Sequence, residues 1–235
     1  MNLCVIPARG GSKRIPRKNI KEFCGKPMIS YSISAAVDSD LFDTVMVSTD
    51  DEEIASIATQ LGAEVPFLRS LKNSNDYSGT GDVVYEVISR YEKNGICFSM
   101  ACCIYATAPL ISTERLQEAF HRFSEGDFDV VFPVGRYSTP ILRSYEVIKE
   151  HTATMKFPEW EATRSQDLND AYFDAGQFYW FYPSRLKELK NKNSFGSVKG
   201  VVILEEYEVQ DIDEPADWQM AEFKYRFMQT INSKA

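Results

Sequence analysis

The sequence has few of the features that mark membrane, secreted or metal-cluster proteins. Its five cysteines are odd in number and form no Cys-x-x-Cys pair, so they indicate neither a disulfide framework nor a zinc site. No apolar run reaches the roughly 18 residues of a membrane span, and the start lacks a signal-peptide pattern. The net charge of −8 argues against a protein that coats nucleic acid. We therefore expect a cytoplasmic protein with no membrane and no nucleic acid as partner.

What the sequence does contain is a large apolar complement arranged in alternating short runs and helical stretches. Hydrophobic residues make up 44% of the 235 residues, which is enough for a sizeable core. The alternation predicts a single α/β domain over residues 1–235, with a Rossmann-like, mostly parallel sheet and helices on both faces. The predicted strands are 3–6, 44–47, 63–65, 100–104, 130–134, 178–181 and 201–204. Five helices are predicted. The first begins at Pro27, the second follows a capping box at Thr49, and the other three cover residues 84–91, 116–123 and 218–228.

The alternation stops after residue 136, where the chain becomes polar and aromatic and loses its helical period. We interpret residues 136–172 as a small β-rich excursion outside the main sheet. So short a segment cannot shelter its own aromatic rings, and exposed rings are typical of a partner surface. The segment is therefore predicted to form a homodimer; the alternative is that it folds back on its own sheet. Its rings are Tyr137, Tyr145, Phe157, Trp160 and Tyr172.

The strongest functional signal follows the first predicted strand. Residues 6–19 read Ile-Pro-Ala-Arg-Gly-Gly-Ser-Lys-Arg-Ile-Pro-Arg-Lys-Asn. Gly10 and Gly11 let backbone N–H groups approach an anion, and Arg9, Lys13, Arg17 and Lys18 could neutralise phosphate oxygens. Ligands of open α/β sheets bind beyond the carboxyl ends of strands, which is where this loop lies. The loop matches neither a Walker A motif nor Gly-x-Gly-x-x-Gly. The alternative to an anion-binding loop is a solvent-exposed basic turn with no ligand.

Beyond this loop, five further motifs occur in order, and the chain as a whole resembles the CMP-sugar-acid synthetases, a cytidylyltransferase family. The motifs are Val47-Ser-Thr-Asp-Asp51, Val65-Pro-Phe-Leu-Arg69, Thr107-Ala-Pro109, Arg164-Ser-Gln-Asp-Leu168 and Asp211-Ile-Asp-Glu-Pro215 with Asp217-Trp218. The stretches 101–109 and 174–180 are most similar to the pseudaminic acid branch. The Gln-Pro-Thr-Ser-Pro segment usual in sialic acid synthetases is replaced here by Tyr105-Ala-Thr-Ala-Pro109, which argues against sialic acid as substrate.

The resemblance implies roles for particular residues. It places Arg9, Gly10, Gly11, Ser12, Lys13, Lys18, Asn19, Arg69 and Thr80 on the nucleotide CTP. Separately, Arg164 and Gln166 of the irregular stretch, and more weakly Arg143, are candidates for the sugar acid's carboxylate, because a guanidinium can bind it with two hydrogen bonds. The predicted sugar site also includes Tyr105 and Gln177. Arg9, Lys18, Asp211 and Asp213 would be the catalytic residues. For Arg164 the alternative is a surface ion pair.

Asp211 and Asp213 are candidate Mg²⁺ ligands. Their i, i+2 spacing in an extended segment places both carboxylates on one face, and hard oxygen donors suit Mg²⁺. The alternative for Asp213 is that it caps the terminal helix. Helix capping also explains Asp50 and Asp51, core packing explains Cys102 and Cys103, and His121 and His151 are expected at the surface.

The expected reaction is the transfer of CMP from CTP to the anomeric hydroxyl of a nine-carbon 2-keto sugar acid, pseudaminic acid before others. Other acid sugars, namely sialic, legionaminic or ketodeoxyoctonic acid, remain alternatives within the same chemistry. A non-catalytic nucleotide-binding module is the alternative from another class, and an intact pair of metal-binding carboxylates argues against it. A nucleic-acid reading of the basic loop would require salt-dependent affinity.

Overall fold

A computed structural model gives the fold, and it describes residues 1–75, 77–186, 196 and 198–233. The strands are β1 (Asn2–Pro7), β2 (Glu22–Phe23), β3 (Lys26–Pro27), β4 (Thr44–Ser48), β5 (Met100–Ile104), β6 (Val130–Arg136), β7 (Tyr145–Lys149), β8 (Thr152–Met155), β9 (Tyr172–Asp174), β10 (Phe178–Phe181) and β11 (Lys199–Leu204). The α-helices are α1 (Ile29–Asp38), α2 (Glu52–Gln60), α3 (Thr80–Lys93), α4 (Thr113–Glu125) and α5 (Pro215–Asn232).

Seven of these strands form one sheet, in the order β11-β6-β10-β5-β1-β4, with β9 paired to β6. β1 is parallel to β4 and β5, and β11 is parallel to β6. β10 lies between β5 and β6 and is antiparallel to both. The predicted α/β class is confirmed: β1, β4, β5, β6 and β11 run in one direction, whereas β10 and the short β9 run in the opposite one. Apolar periodicity alone does not give a strand's direction.

Both faces of the sheet are covered by helices, as predicted. On one face, α1, α2 and α4 pack Ile33, Ile54 and Phe123 against strand residues such as Cys102. On the other face, α3 packs Val84, Val87, Ile88 and Tyr91 against residues that include Cys103. The two neighbouring cysteines are fully buried in opposite clusters because successive strand residues alternate between faces. None of the helices within the described ranges combines the length and apolar character that a bilayer crossing requires.

A third, smaller apolar cluster ties the C-terminal helix to the segment that follows the glycine loop. Its buried members are Ile15, Phe23, Met28, Ile212, Trp218 and Ala221. The Phe23 ring meets the Trp218 ring edge to face, with centroids 5.5 Å apart. α5 therefore braces residues 15–28 across a sequence distance of about 200 residues.

Three predicted boundaries are wrong. Pro27 lies in the short strand β3, and α1 begins two residues later at Ile29. The capping box does not begin at Thr49, whose hydroxyl accepts from the Asp51 N–H. The N-cap of α2 is Asp51, whose carboxylate accepts from the Ile54 N–H, so the capping interpretation of Asp51 is confirmed. The predicted strand 63–65 is reduced to one bridge between Glu64 and Met46, because the chain turns away after that pair.

The segment 136–172 leaves the main sheet and returns to it. β6 ends at Arg136, and β9 pairs with β6 again from Tyr172. Between them the structure places the β7–β8 hairpin, whose residues are almost all exposed, and three short 3₁₀ turns. Val147 is 74% exposed and Tyr145 60% exposed. The hairpin therefore finds no apolar cover within the described part of its own chain.

We expect Trp218→Ala to lower the free energy of unfolding by about 3 kcal/mol or more, because it opens a cavity in the third cluster. Phe223→Ala, on the same helix, is the matched control: Trp218 is 6% exposed and Phe223 is 67% exposed. Denaturant unfolding of the three proteins measures the difference. An equal decrease in the free energy of unfolding of the two variants would contradict a stabilising role for the packing of α5 on residues 15–28.

Candidate active site

The parallel pairing of β1 with β4 decides which loops meet at the site. Pro7 stands opposite Ser48 in the register, so both strands end at the same edge of the sheet. The glycine loop that follows β1 therefore runs beside the Thr49-Asp50-Asp51 turn that follows β4. This is the edge at which open α/β sheets bind their ligands.

A cleft of about 280 Å³ opens at this edge. Its lining residues are Pro7, Arg9, Ser12, Lys13, Arg14, Ile15, Lys18, Asn19, Arg69, Asn75, Ser78, Thr80, Val83 and Asp213. Five of them are cationic side chains, and Asp213 is the one carboxylate among the described lining residues. An excess of cations in a polar cleft suits a ligand with several negative charges.

The backbone of the glycine loop is fixed by its neighbours. The Gly10 N–H donates to Asp50 Oδ1 at 3.0 Å, and the Asn19 side-chain amide donates to the Arg9 carbonyl at 2.8 Å. A Cβ atom at Gly10 would lie 2.5 Å from Asp51 Oδ2, whereas one at Gly11 would meet no atom within 4 Å. A side chain at position 10 would therefore displace the Asp51 carboxylate from its contacts. Asn19 braces the loop from within while also lining the cleft.

Arg17 does not line the cleft, although its charge suggested a phosphate contact. Its guanidinium instead binds both oxygens of Asp51 and reaches Glu53 Oε2 at 2.5 Å. The hydrogen bond from Arg17 lowers the pKa of Asp51. The stabilisation that this pair gives is therefore present at neutral pH and is lost only as the pH falls through that lowered pKa.

The C-terminal segment closes the opposite side of the cleft. Lys18 Nζ donates to the Ile212 carbonyl at 2.6 Å and lies 3.7 Å from Asp213 Oδ1. Arg14 binds the same Asp213 oxygen at 2.7 Å. Burial lowers the pKa of Lys18, while the charges of Asp213 and Asp211 oppose that change. Lys18 is thus held in a fixed place at the cleft wall.

The capping alternative for Asp213 is wrong, because Glu214 is the N-cap of α5. Glu214 and Asp217 form a reciprocal capping box, and Asp217 Oδ2 accepts from the N–H groups of Asp213 and Glu214. The Asp213 carboxylate is therefore not used by the helix. Asp213 lines the cleft, whereas the exposed Asp211 lies outside the lining and acts on Lys18 through its charge.

Arg69 and Thr80 form the wall of the cleft on the side of α3. Arg69 is buried, donates to the Ser48 hydroxyl at 3.2 Å, and has its pKa lowered by burial. Thr80 is the first residue of α3, and its hydroxyl lies 3.5 Å from the Tyr105 hydroxyl. Tyr105 therefore adjoins the cleft without lining it.

The other expected sugar-site residues lie outside the cleft. Gln177 is buried, and its amide donates to the Glu208 carbonyl at 2.5 Å, so it connects β10 with the segment that precedes Asp211. Arg143, Arg164 and Gln166 are exposed on the excursion. Arg164 pairs with Asp167 at 2.7 Å, which is the surface ion pair held as its alternative.

Three contributors were missed in the sequence. Asn75 lines the cleft, and its carbonyl accepts from Arg9 at 3.4 Å; its side chain accepts from the Tyr77 and Ser78 N–H groups, an Asx turn that an Asn in a polar loop can signal. Arg14 also lines the cleft and binds Asp213, a partner 199 positions away that local sequence does not indicate. The predicted capping role of Asp50 is wrong: its carboxylate accepts from the Gly10 N–H, a contact that the adjacency of β1 and β4 can signal.

The fold and the cleft together define an α/β protein with a cation-lined cleft at parallel strand ends. A family model described as cytidylyltransferase matches residues 3–227. The chain belongs to the cytidylyltransferase family.

Curated relatives refine this placement. A pseudaminic acid cytidylyltransferase of Campylobacter jejuni is 40% identical over 225 residues, which cover 96% of each chain. A CMP-N,N'-diacetyllegionaminic acid synthase of Legionella pneumophila is 30% identical and covers 94% of each chain. An N-acylneuraminate cytidylyltransferase A of Danio rerio is 36% identical; the match covers 93% of this chain and 49% of the fish protein.

A solved structure confirms the fold. CMP:2-keto-3-deoxy-manno-octonic acid synthetase complexed with CTP superposes with a TM-score of 0.70 at 17% identity. The match covers 97% of this chain and 99% of the other. At this identity the similarity concerns the fold.

We expect Gly10→Ala to destabilise the protein by about 1–3 kcal/mol, because the added methyl group collides with the Asp51 side chain. Gly11→Ala is the matched control, since its methyl group would enter open space. Thermal unfolding of both variants provides the measurement. Equal stability of the two would show that position 10 tolerates a side chain.

Proposed function

We propose that this protein transfers CMP from CTP to the anomeric hydroxyl of a nine-carbon 2-keto sugar acid. The hydroxyl oxygen forms a bond to the α-phosphorus, the bond to the bridging oxygen of the leaving pyrophosphate breaks, and pyrophosphate and a proton are released. The observation that carries the proposal is the cationic cleft beside the fixed glycine loop, in a chain of the cytidylyltransferase family. Positioning and charge stabilisation are the main contributions that such a reaction asks of a protein.

Different residues of the cleft are proposed to bind the phosphates and the cytidine. Arg9 and Lys18 are proposed to neutralise the charge that accumulates on the phosphates, with Ser12 and Lys13 beside them. The Gly10 N–H, which the sequence assigned to an anion, is already bound to Asp50 and holds the loop instead. Lys18 is suited to this role because the Ile212 carbonyl already holds its ammonium group at the wall. Arg69 and Thr80 lie across the cleft, where we place the cytidine.

Asp211 and Asp213 are proposed to hold Mg²⁺ when the nucleotide is bound. The donor set fits this ion, because both are hard carboxylate ligands, Asp213 lines the cleft, and the helix cap does not use it. When bound, the ion would neutralise phosphate charge and orient the α-phosphate. Arg14 now occupies one Asp213 oxygen, so this pair would have to open for the metal.

Pseudaminic acid is the sugar we propose first. The support is the 40% identity, over nearly the whole of both chains, to a relative named for this sugar. Legionaminic acid is the second candidate, because a relative named for its diacetyl derivative covers the chain almost as fully.

A substrate panel tests the proposal. The four nucleoside triphosphates are each incubated with pseudaminic, legionaminic, sialic and ketodeoxyoctonic acid, with and without Mg²⁺, and product mass and pyrophosphate are measured. We expect CMP–pseudaminic acid and pyrophosphate from CTP only, and only with Mg²⁺. A preferred purine nucleotide would reject the reaction, and a preferred different acid would reject only the sugar. Pyrophosphate release without Mg²⁺ would reject the metal.

We also propose a homodimer formed through residues 136–172. The support is the exposed apolar surface of the β7–β8 hairpin, together with the position of Arg143 and Arg164 outside their own chain's cleft. In a dimer, these arginines could serve the partner's sugar site.

Light scattering should therefore give the mass of two chains at micromolar concentration. Val147→Glu should shift the mass to one chain, because it places a charge in the proposed interface. Val37→Glu, at an exposed valine on α1, is the control and should leave the dimer intact. A single-chain mass for the unmodified protein would refute the dimer.

A further inference from the structure

Arg17 and Lys18 are neighbours in the glycine loop, but their side chains lie in two different environments. Lys18 lines the cleft, whereas the guanidinium of its neighbour Arg17 binds carboxylates at the start of α2. Arg17 also adopts a left-handed backbone conformation, with φ at 56°. A non-glycine residue in that region costs free energy, which the surrounding contacts of Arg17 offset, including two backbone N–H groups that donate to its carbonyl.

Those contacts lead directly back to the glycine loop. Asp51, which binds Arg17 through both oxygens, is the residue that a side chain at Gly10 would strike. The adjacent Asp50 accepts the Gly10 N–H. Arg17 and Gly10 are therefore held by the same turn, one through its side chain and the other through its backbone.

Asp51 has a second duty as the N-cap of α2, where it accepts from the Ile54 N–H at 3.0 Å. Helix α2 is anchored in the core through Ile54 and Ala58. The Arg17–Asp51 pair thus connects a loop at the surface to a rigid element of the sheet. Asp51 is only partly exposed, so water screens this pair less than a surface pair.

We propose that Arg17 is a positioning residue, which, through Asp51, holds the glycine loop in the shape that receives a triphosphate. This inference rests on the proposed function for the identity of the ligand. A loop that is already ordered loses less entropy on binding, so loosening it should weaken the phosphate contacts while the opposite end of the nucleotide is unaffected.

Calorimetric titration with CTP and with CMP tests this role. Arg17→Asn removes the guanidinium but keeps a residue that tolerates positive φ, and Asp51→Asn keeps a good N-cap but removes the charge. We expect each variant to bind CTP about tenfold more weakly, and to bind CMP within about twofold of the wild type. The double variant should be no weaker than either single one, because the two residues act as a unit.

Arg226→Ala is the control, because it removes an exposed ion pair with Glu222 on α5 and should change neither affinity. Unchanged CTP affinity in both single variants would overturn the positioning role, even if their melting temperatures fell. Parallel losses for CTP and CMP would also overturn it, since they would indicate general damage. If Arg17→Asn does not fold, the CTP and CMP affinities of Asp51→Asn alone test the positioning role. Failure of the wild type to bind CTP would instead overturn the proposed function.

Discussion

The parallel pairing of β1 with β4 sets the geometry on which the site depends. It carries the glycine loop to the carboxylates of Asp50 and Asp51, and these hold the loop by its Gly10 N–H and by Arg17. A loop of glycines and like charges would otherwise be open and self-repelling. Two acidic residues at a neighbouring strand end offset part of that repulsion and leave Arg9, Lys13 and Lys18 directed toward the cleft.

The second half of the site comes from the other end of the chain. The buried Ile212 and Trp218 pack under residues 15–28, and this packing places the Ile212 carbonyl on Lys18 and the Asp213 carboxylate at the cleft. The reciprocal cap made by Glu214 and Asp217 begins α5 without using Asp213. The same short segment therefore supplies a core contact, a helix start and a carboxylate that faces Arg14 and Lys18 at the cleft and is not used by the helix cap.

Much of this arrangement could be predicted from the sequence, and the reasons for the misses are physical. The apolar runs of β1, β5, β6, β10 and β11 are strong local signals, and the glycine loop was identified because it follows the first of them. The antiparallel direction of β10 was not predicted, because periodicity carries no direction. The misread residues are those with long-range partners: Arg17 with Asp51, Asp50 with Gly10, and Arg14 with Asp213. Their charges are visible in the sequence, but charge does not identify a partner.

A structure of the protein with CTP tests the central claim most directly, namely that the fixed glycine loop holds the triphosphate. We predict phosphate oxygens within hydrogen-bonding distance of the Arg9 guanidinium and of Lys18 Nζ, with the base on the side of Arg69 and Thr80. We also predict that Arg17 stays on Asp51 in the complex. A nucleotide bound elsewhere, or one whose phosphates point away from residues 9–19, would contradict the account.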